Sequence, residues 1–386
     1  MVAAARRGVS LRSVARQFEV SLYTVQRWVA RAQGQRLDRA DWADRPAGPR
    51  RPANRVPESI EELTVAVRRE LREHSILGEF GDRAILQALM ERQASPVPSL
   101  RTIGRILERR GVLDGRRRLR YPSPPRGWYL PDVAQGKAEL DSFDIIEGLV
   151  IQGGPEVEVL NGISLHGGWV TSWPAVCMTA KTAVEALLAR WAEFGLPCYA
   201  QFDNDTRFQG AHQFQDAFGR VTRLCLSLGV TPVFVPPREM GFQAAIENFN
   251  GRWQAKVWTR FHHDCLGALR ARSAAYICAS HQRSAARIDS APARRPFPGG
   301  WGLNWDAPLG GSLIYLRRTN EAGVVELLGH RFEVCPSWPH RLVRCVVDLE
   351  ARRIRFYALR RRNPADQPLL IEVPYNWHPK PFQGDP

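Results

Sequence analysis

The chain has 386 residues with 54 Lys plus Arg against 39 Asp plus Glu, a net charge of +15 and a pI near 10.1. That length exceeds one ordinary domain and predicts two to four parts, while a charge of this sign and size points to a polyanionic partner. Seven cysteines with no Cys-x-x-Cys pair exclude a disulfide framework and a zinc ribbon. No run of about 18 apolar residues argues for a membrane span, and no signal-peptide pattern opens the chain, so a reducing cytoplasm is expected.

Only four of the cations are lysine. Gene base composition accounts for such a bias, so the sign of the charge carries more than the choice of arginine. The charge is front-loaded: 26 arginines face 15 acids over residues 1–135, a net +11. Contact with nucleic acid is therefore expected to begin at the N-terminal end.

Residues 1–32 predict a helix-turn-helix. In GVSLRSVARQFEVSLYTVQRWVARA (8–32), Ser10 and Ser21 are natural N-caps for two short helices. Ala15 is small at the crossing, and Val14, Phe18, Val20, Val25 and Trp28 form a shared apolar face. Tyr23, Thr24, Gln26 and Arg27 then remain free for a major groove. Glu19 stands in the turn where such motifs usually carry glycine, and a first helix is expected only as a stub, from a late start or degradation.

Residues 33–57 read as a Pro-, Gly- and Arg-rich linker. Residues 58–114 carry apolar positions at helical spacing (Leu63, Val67, Leu71; Ile85, Leu86, Leu89; Ile103, Ile106, Leu107) and predict three helices. The last of them, opened by Pro98 and Ser99, offers Arg101 and Arg105 as further DNA contacts in a winged-helix-like module. A basic linker follows at 115–137.

From 138 to 265 strand-like runs alternate with helical ones, which predicts an α/β domain. A helix and linker are expected over 266–307, with residues 288–300 Pro- and Gly-rich. Five short strands over 308–373 predict a small SH3-like β-barrel, whose Arg317, Arg318, Arg352, Arg353, Arg355, Arg360, Arg361 and Arg362 would face phosphates. Residues 374–386 form a tail.

Three acids sit on three different elements: Asp141 on ELDSFDII, Asp203 at the end of CYAQF, and Glu247 in GFQAAIENFNGRW. Carboxylates converging from separate elements can hold a pair of divalent ions for phosphodiester chemistry, and Asp203 stands at a strand's carboxyl end, where functional groups gather in α/β sheets. Asp144 competes with Asp141, because the two lie an odd number of residues apart on one strand and face opposite sides.

QFDNDTRF (201–208) resembles the Asp-Asn-Gly-x-x-Phe motif of the integrase core family, and IENFNGRW (246–253) its Glu-x-x-Asn helix. LDSFDIIEG (140–148) looks like the family's first-aspartate strand, in a register that favours Asp141, and residues 179–197 resemble its intervening helix and Gly-x-Pro turn. Together with the flanking parts, the layout is similar to bacterial insertion-sequence transposases and retroviral-type integrases.

The resemblance implies an RNase H-like catalytic core and a Mg²⁺ or Mn²⁺ two-metal site on Asp141, Asp203 and Glu247. It also implies cleavage and strand transfer at mobile-element ends, a homodimer or homotetramer on double-stranded DNA, and a place at the bacterial nucleoid. Asp205 departs from the motif's glycine, and the Asp203 to Glu247 gap is longer than usual. Gln254 stands where the family often has a basic residue, with Lys256 pointing away. Two rivals remain open: a DNA-binding regulator with an inactive RNase H-like domain, and a nuclease that does not join. The cluster at His262, His263 and Cys265 lacks zinc-finger spacing, and Ser164 with His166 lacks the frame of a nucleophile.

Overall fold

Helix starts follow the hydroxyl caps. Ser10 and Ser21 accept the backbone N–H of Ser13 and Thr24, which satisfies one of the free donors at each helix start. The computed structural model describes residues 1–43, 56–113, 126–210, 215–361 and 363–377, and by contact the chain divides into two compact units, Met1–Glu61 and Glu62–Pro386.

The first unit holds α1 (Val2–Arg6), α2 (Leu11–Gln17) and α3 (Leu22–Arg31). Val14, Ala15 and Val25 are buried with Ala4. Phe18 and Val20, expected in that core, are exposed instead, because the turn after α2 carries them outward. Glu19 takes the left-handed conformation at φ 52°, which explains why glycine is the usual residue there.

The second unit takes in most of α4 (Glu58–His74), then α5 (Asp82–Glu91) and α6 (Leu100–Arg109). Val67, Ile85, Leu89, Ile103 and Leu107 pack together, with Leu63, Leu71 and Leu86 against them. Residues 44–55 of the expected 33–57 linker and 115–125 of the 115–137 one fall outside the described residues, as does Arg362.

After a short α7 (Pro131–Ala134), β1 (Leu140–Val150), β2 (Glu156–Ser164) and β3 (Val170–Ala175) form an antiparallel meander. Helix α8 (Ala180–Phe194) crosses to β4 (Tyr199–Phe202), which pairs in parallel with the other edge of β1. Next come α9 (Thr206–Gln209), α10 (Arg220–Ser227) and β5 (Thr231–Phe234), again parallel. Helix α11 (Ala244–Trp253) continues into a π-helical turn at Gln254–Trp258, followed by α12 (Leu266–Asp289).

The extra length between Asp203 and Glu247 is pinched off by two glycines. A Cβ on Gly210 would stand 2.6 Å from the backbone nitrogen of Gly219, so only glycine lets the chain leave and return at one point. At the far end, Asp216 accepts from the Tyr375 hydroxyl at 2.6 Å and pairs with His330 at 3.0 Å.

The C-terminal strands depart from the expected barrel. β6 (Ser312–Arg318) pairs in parallel with β5, and β9 (Leu342–Asp348), β10 (Arg353–Ala358) and β11 (Leu369–Pro374) extend the same sheet. Only β7 (Val324–Leu327) and β8 (His330–Glu333) stand apart as a hairpin. The nine-stranded order is β11-β10-β9-β6-β5-β4-β1-β2-β3. Alternation over short strands is common to barrels and to sheet extensions; the open edge of β5 decides between them.

One core joins both halves of this sheet: Phe143, Leu187, Trp191 and Phe234 pack in the same cluster as Tyr315, Val343 and Phe356. Residues 288–300 are not a free linker either, since Leu196 and Arg295 form a β-bridge. Among the described residues no helix is long and apolar enough to cross a membrane.

Removing residues 308–386 is therefore expected to abolish the cooperative thermal transition of the second unit, followed by circular dichroism. A remaining chain that melts cooperatively would contradict the shared core.

Candidate active site

The two-residue period of β1 sends its acids to opposite faces. Phe143 joins the core under α8, while Ile146 joins the cluster under α11, so Asp141 goes with the first and Asp144 with the second.

Asp141 is fully buried and held by two arginines. Arg190 on α8 donates from Nε to Oδ2 at 2.9 Å and from a terminal nitrogen to Oδ1 at 3.1 Å. Arg294 donates a second fork at 2.9 and 2.8 Å, and the Trp191 indole adds a bond at 3.2 Å. Burial alone would raise the Asp141 pKa, but the two guanidinium charges hold it far below the usual carboxylate range. Every oxygen of this carboxylate is occupied by cations and donors, which leaves it no lone pair for a metal. The expectation that Asp141 joins Asp203 and Glu247 does not match this arrangement.

Asp144 lies half-buried on the other face. Its pKa is raised to about 6, first by burial and then by the negative charges of Asp203 and Glu247. Asn250, three residues after Glu247 on α11, donates to Asp144 Oδ2 at 2.7 Å and accepts from the Asn161 amide at 2.9 Å. The asparagine of the Glu-x-x-Asn segment thus clamps α11 to Asp144. The Asn signal was present in the sequence; its partner was not.

Asp203 follows β4, half-buried, with its pKa raised first by burial and then by Asp205. Its Oδ1 accepts the backbone N–H of Asp205 at 3.0 Å. Asp205, where the motif has glycine, takes an ordinary φ of −61° and caps α9, so no left-handed residue is needed. Arg207 joins Asp205, Glu147 and Glu158 in one ion-pair group. Asn204 donates to the Val235 carbonyl at 2.8 Å and accepts from Arg317 at 3.0 Å, tying the loop that carries Asp203 to β5 and β6.

Glu247 is exposed on the first turn of α11. Among the described residues no group of three His, Cys, Asp or Glu stands close enough to form a ready-made metal cage. Asp144, Asp203 and Glu247 offer carboxylate oxygen alone, the donor type a hard divalent cation takes, and the charges of Asp203 and Glu247 act on Asp144.

Lys256 is diverted by the π-helical turn. It donates to the Gly78 carbonyl at 3.0 Å and lies over the Phe80 ring, which joins the α4–α6 helices to the core instead of facing the acids.

The expected DNA contacts divide. On α3, Tyr23, Gln26 and Arg27 are exposed on one face, while Thr24 is half-buried with its hydroxyl on the Ser21 cap. On α6, Arg101 and Arg105 are exposed one turn apart. The C-terminal arginines are largely engaged: the half-buried Arg317 bonds Asn204, Arg318 pairs with Glu239, Arg353 and Arg355 with Glu372, and Arg360 with Asp366. Ser164 accepts from Arg190 and His263 bonds the Val257 carbonyl, both structural contacts.

No family model matches the chain, and no curated protein does. Solved structures resemble it distantly. A chain of the simian T-cell lymphotropic virus intasome is 13% identical over 71% of this chain and 91% of its own, with a TM-score of 0.34. The HTLV-2 integrase catalytic core in complex with magnesium is 13% identical over 42% and 88%, at 0.27. The BIV integrase catalytic core is 16% identical over 37% and 81%, at 0.27. At these scores the likeness carries no argument about the fold or the site of this chain.

Two substitutions separate the acids of β1. Asp141→Ala strands two buried arginines and is expected to cost about 3–5 kcal/mol, read as a fall in Tm. Asp144→Asn removes a carboxylate whose ionisation the fold opposes. For an acid whose pKa is raised from 3.8 to about 6, folded stability is lost as pH rises through that window, by about 2–3 kcal/mol. The metal-free variant should thus melt above the wild type at pH 7, with the gap closing towards pH 4. A lower Tm for Asp144→Asn at pH 7 would contradict this electrostatic picture.

Proposed function

We propose that the chain is a metal-dependent polynucleotidyl transferase of the transposase and integrase type, with Asp144, Asp203 and Glu247 as its metal-holding acids. The observation that carries the reading is the Asn250 to Asp144 bond. It places the Glu-x-x-Asn helix against the acid whose charge already feels Asp203 and Glu247.

Three lines support the RNase H-like reading of the core: the antiparallel β1–β3 meander, the α8 crossover to a parallel β4, and Asp203 at that strand's carboxyl end. In this reading Asp144 takes the place first given to Asp141, and Asp141 becomes a structural acid.

Bound Mg²⁺ or Mn²⁺ would activate an attacking oxygen and stabilise the leaving one. The chain's own residues do the rest. Asp144 and Asp203 supply carboxylate oxygens from adjacent strands, Glu247 supplies a third from α11, and Asn250 fixes the rotamer of Asp144. Asn204 and Arg317 hold the Asp203 loop to the sheet. Helix α3, through Tyr23, Gln26 and Arg27, and helix α6, through Arg101 and Arg105, are proposed to grip double-stranded DNA at an element end. Pairing two ends calls for two or more copies of the chain.

A strand-transfer assay with Mg²⁺ or Mn²⁺ on DNA carrying the gene's flanking inverted repeats tests this. Joined products are expected from the wild type, with a loss of at least about 100-fold in Asp203→Asn and Asp144→Asn and retained DNA binding. Nicking without joining would favour a nuclease, and binding without cleavage an inactive regulator.

A further inference from the structure

A cleft of about 490 Å³ is lined by Arg126, Arg252, Arg287 and Arg361 together with Trp128, Gln201 and Asn248. Its size falls within the roughly 300–1,000 Å³ of ordinary ligand sites. The four arginines come from four separated parts of the chain: the segment before α7, the end of α11, the end of α12 and the loop after β10. Among the described residues no acid lines the cleft.

Among the described residues none of the four arginines forms an ion pair. Arg126 donates to the Leu165 carbonyl at 3.1 Å, and Arg361 to the Met240 carbonyl at 2.8 Å. Arg287 donates to the carbonyls of His166 and Leu165. These bonds aim the guanidinium groups without neutralising them. Arg252 is exposed on α11.

The cations also oppose one another. Burial lowers the Arg287 pKa, and the charges of Arg126 and Arg252 lower it further, with Glu139 acting in the opposite sense. An anion in the cleft would relieve that repulsion. The Trp128 indole N–H, buried in the cleft wall, has no acceptor in the structure.

We propose that this cleft binds the sugar-phosphate backbone of a single DNA strand, next to the phosphodiester held at the acids. The placement follows from α11. Glu247 and Asn248 are consecutive on α11 but point about 100° apart around it, so the acid and the cleft occupy adjoining faces of one helix, and Gln201 in the cleft wall precedes Asp203 by one side-chain period of β4. Arg252 stands five residues beyond Glu247, about 7.5 Å along the helix axis, a span of about two phosphate repeats of one strand at about 3.4 Å each. Arginine forks suit phosphate oxygens in bidentate geometry. The occupant rests on the transferase reading above, but its binding can be measured without any cleavage.

The test uses the full-length protein, a fluorescein-labelled eight-nucleotide single strand and no divalent metal. A single strand that short offers nothing to a major-groove helix, so it isolates the cleft. Arg126→Ala combined with Arg252→Ala is expected to weaken binding at least about tenfold and to flatten the salt dependence by about two units of slope. Arg126→Lys combined with Arg252→Lys, which keeps the charge and loses the forks, should keep the salt slope of the wild type at unchanged Tm. The same strand carrying 5-iododeoxyuridine should cross-link, on irradiation, to the peptide containing Trp128 and Tyr129. Unchanged affinity and slope in the alanine variant, or cross-links confined to other peptides, would overturn the proposal. Binding and cross-linking at the cleft by a protein that never cuts DNA would uphold it and remove the transferase reading instead.

Discussion

The side-chain alternation of β1 is the constraint on which the site depends. A strand displays successive residues on opposite faces, and β1 carries an acid for each. Asp141 is consumed by Arg190 and Arg294 under α8, where it joins the start of β1 to the α8 crossover and to the segment after α12. A buried acid matched by two arginines is costly to disturb, which fixes the register of β1 and so fixes which face Asp144 occupies. The repulsive site on one face is held in place by the attractive one on the other.

The same sheet explains why the C-terminal strands matter to the acids. By adding to β5, β6 brings the half-buried Arg317 to Asn204, the neighbour of Asp203. An independent barrel would contribute nothing there. The extension also delivers Arg361 to the cleft beside α11, and its outer elements meet the pinched-off loop at Asp216. Sequence distant from the acids is therefore built into their support.

Much of this was legible in the chain itself. The helix caps at Ser10, Ser21 and Ser99, the three-helix core around Val67 and Leu89, and the strand-helix order from residue 138 follow from short-range patterns that the fold keeps. The acid on β1 was not legible, because strand parity says only that Asp141 and Asp144 face opposite sides, motif register favoured Asp141, and only the positions of Arg190 and Arg294 separate the two. Nothing local marks an arginine 49 or 153 residues away as a partner. The barrel was misread for a similar reason. Alternation records which face of a strand is buried, not which strand lies beside it. Lys256 needed a π-helical turn to be placed, and a 3.6-residue period cannot foresee one.

The central claim is that the metal belongs to the face of Asp144, between that residue, Asp203 and Glu247. Anomalous diffraction at the manganese edge from crystals grown with Mn²⁺ tests it most directly. The account predicts a peak bounded by Asp144 and Asp203, absent in Asp144→Asn and present in wild type. A peak ligated by Asp141, or none beside Asp144 at saturating Mn²⁺, would contradict it.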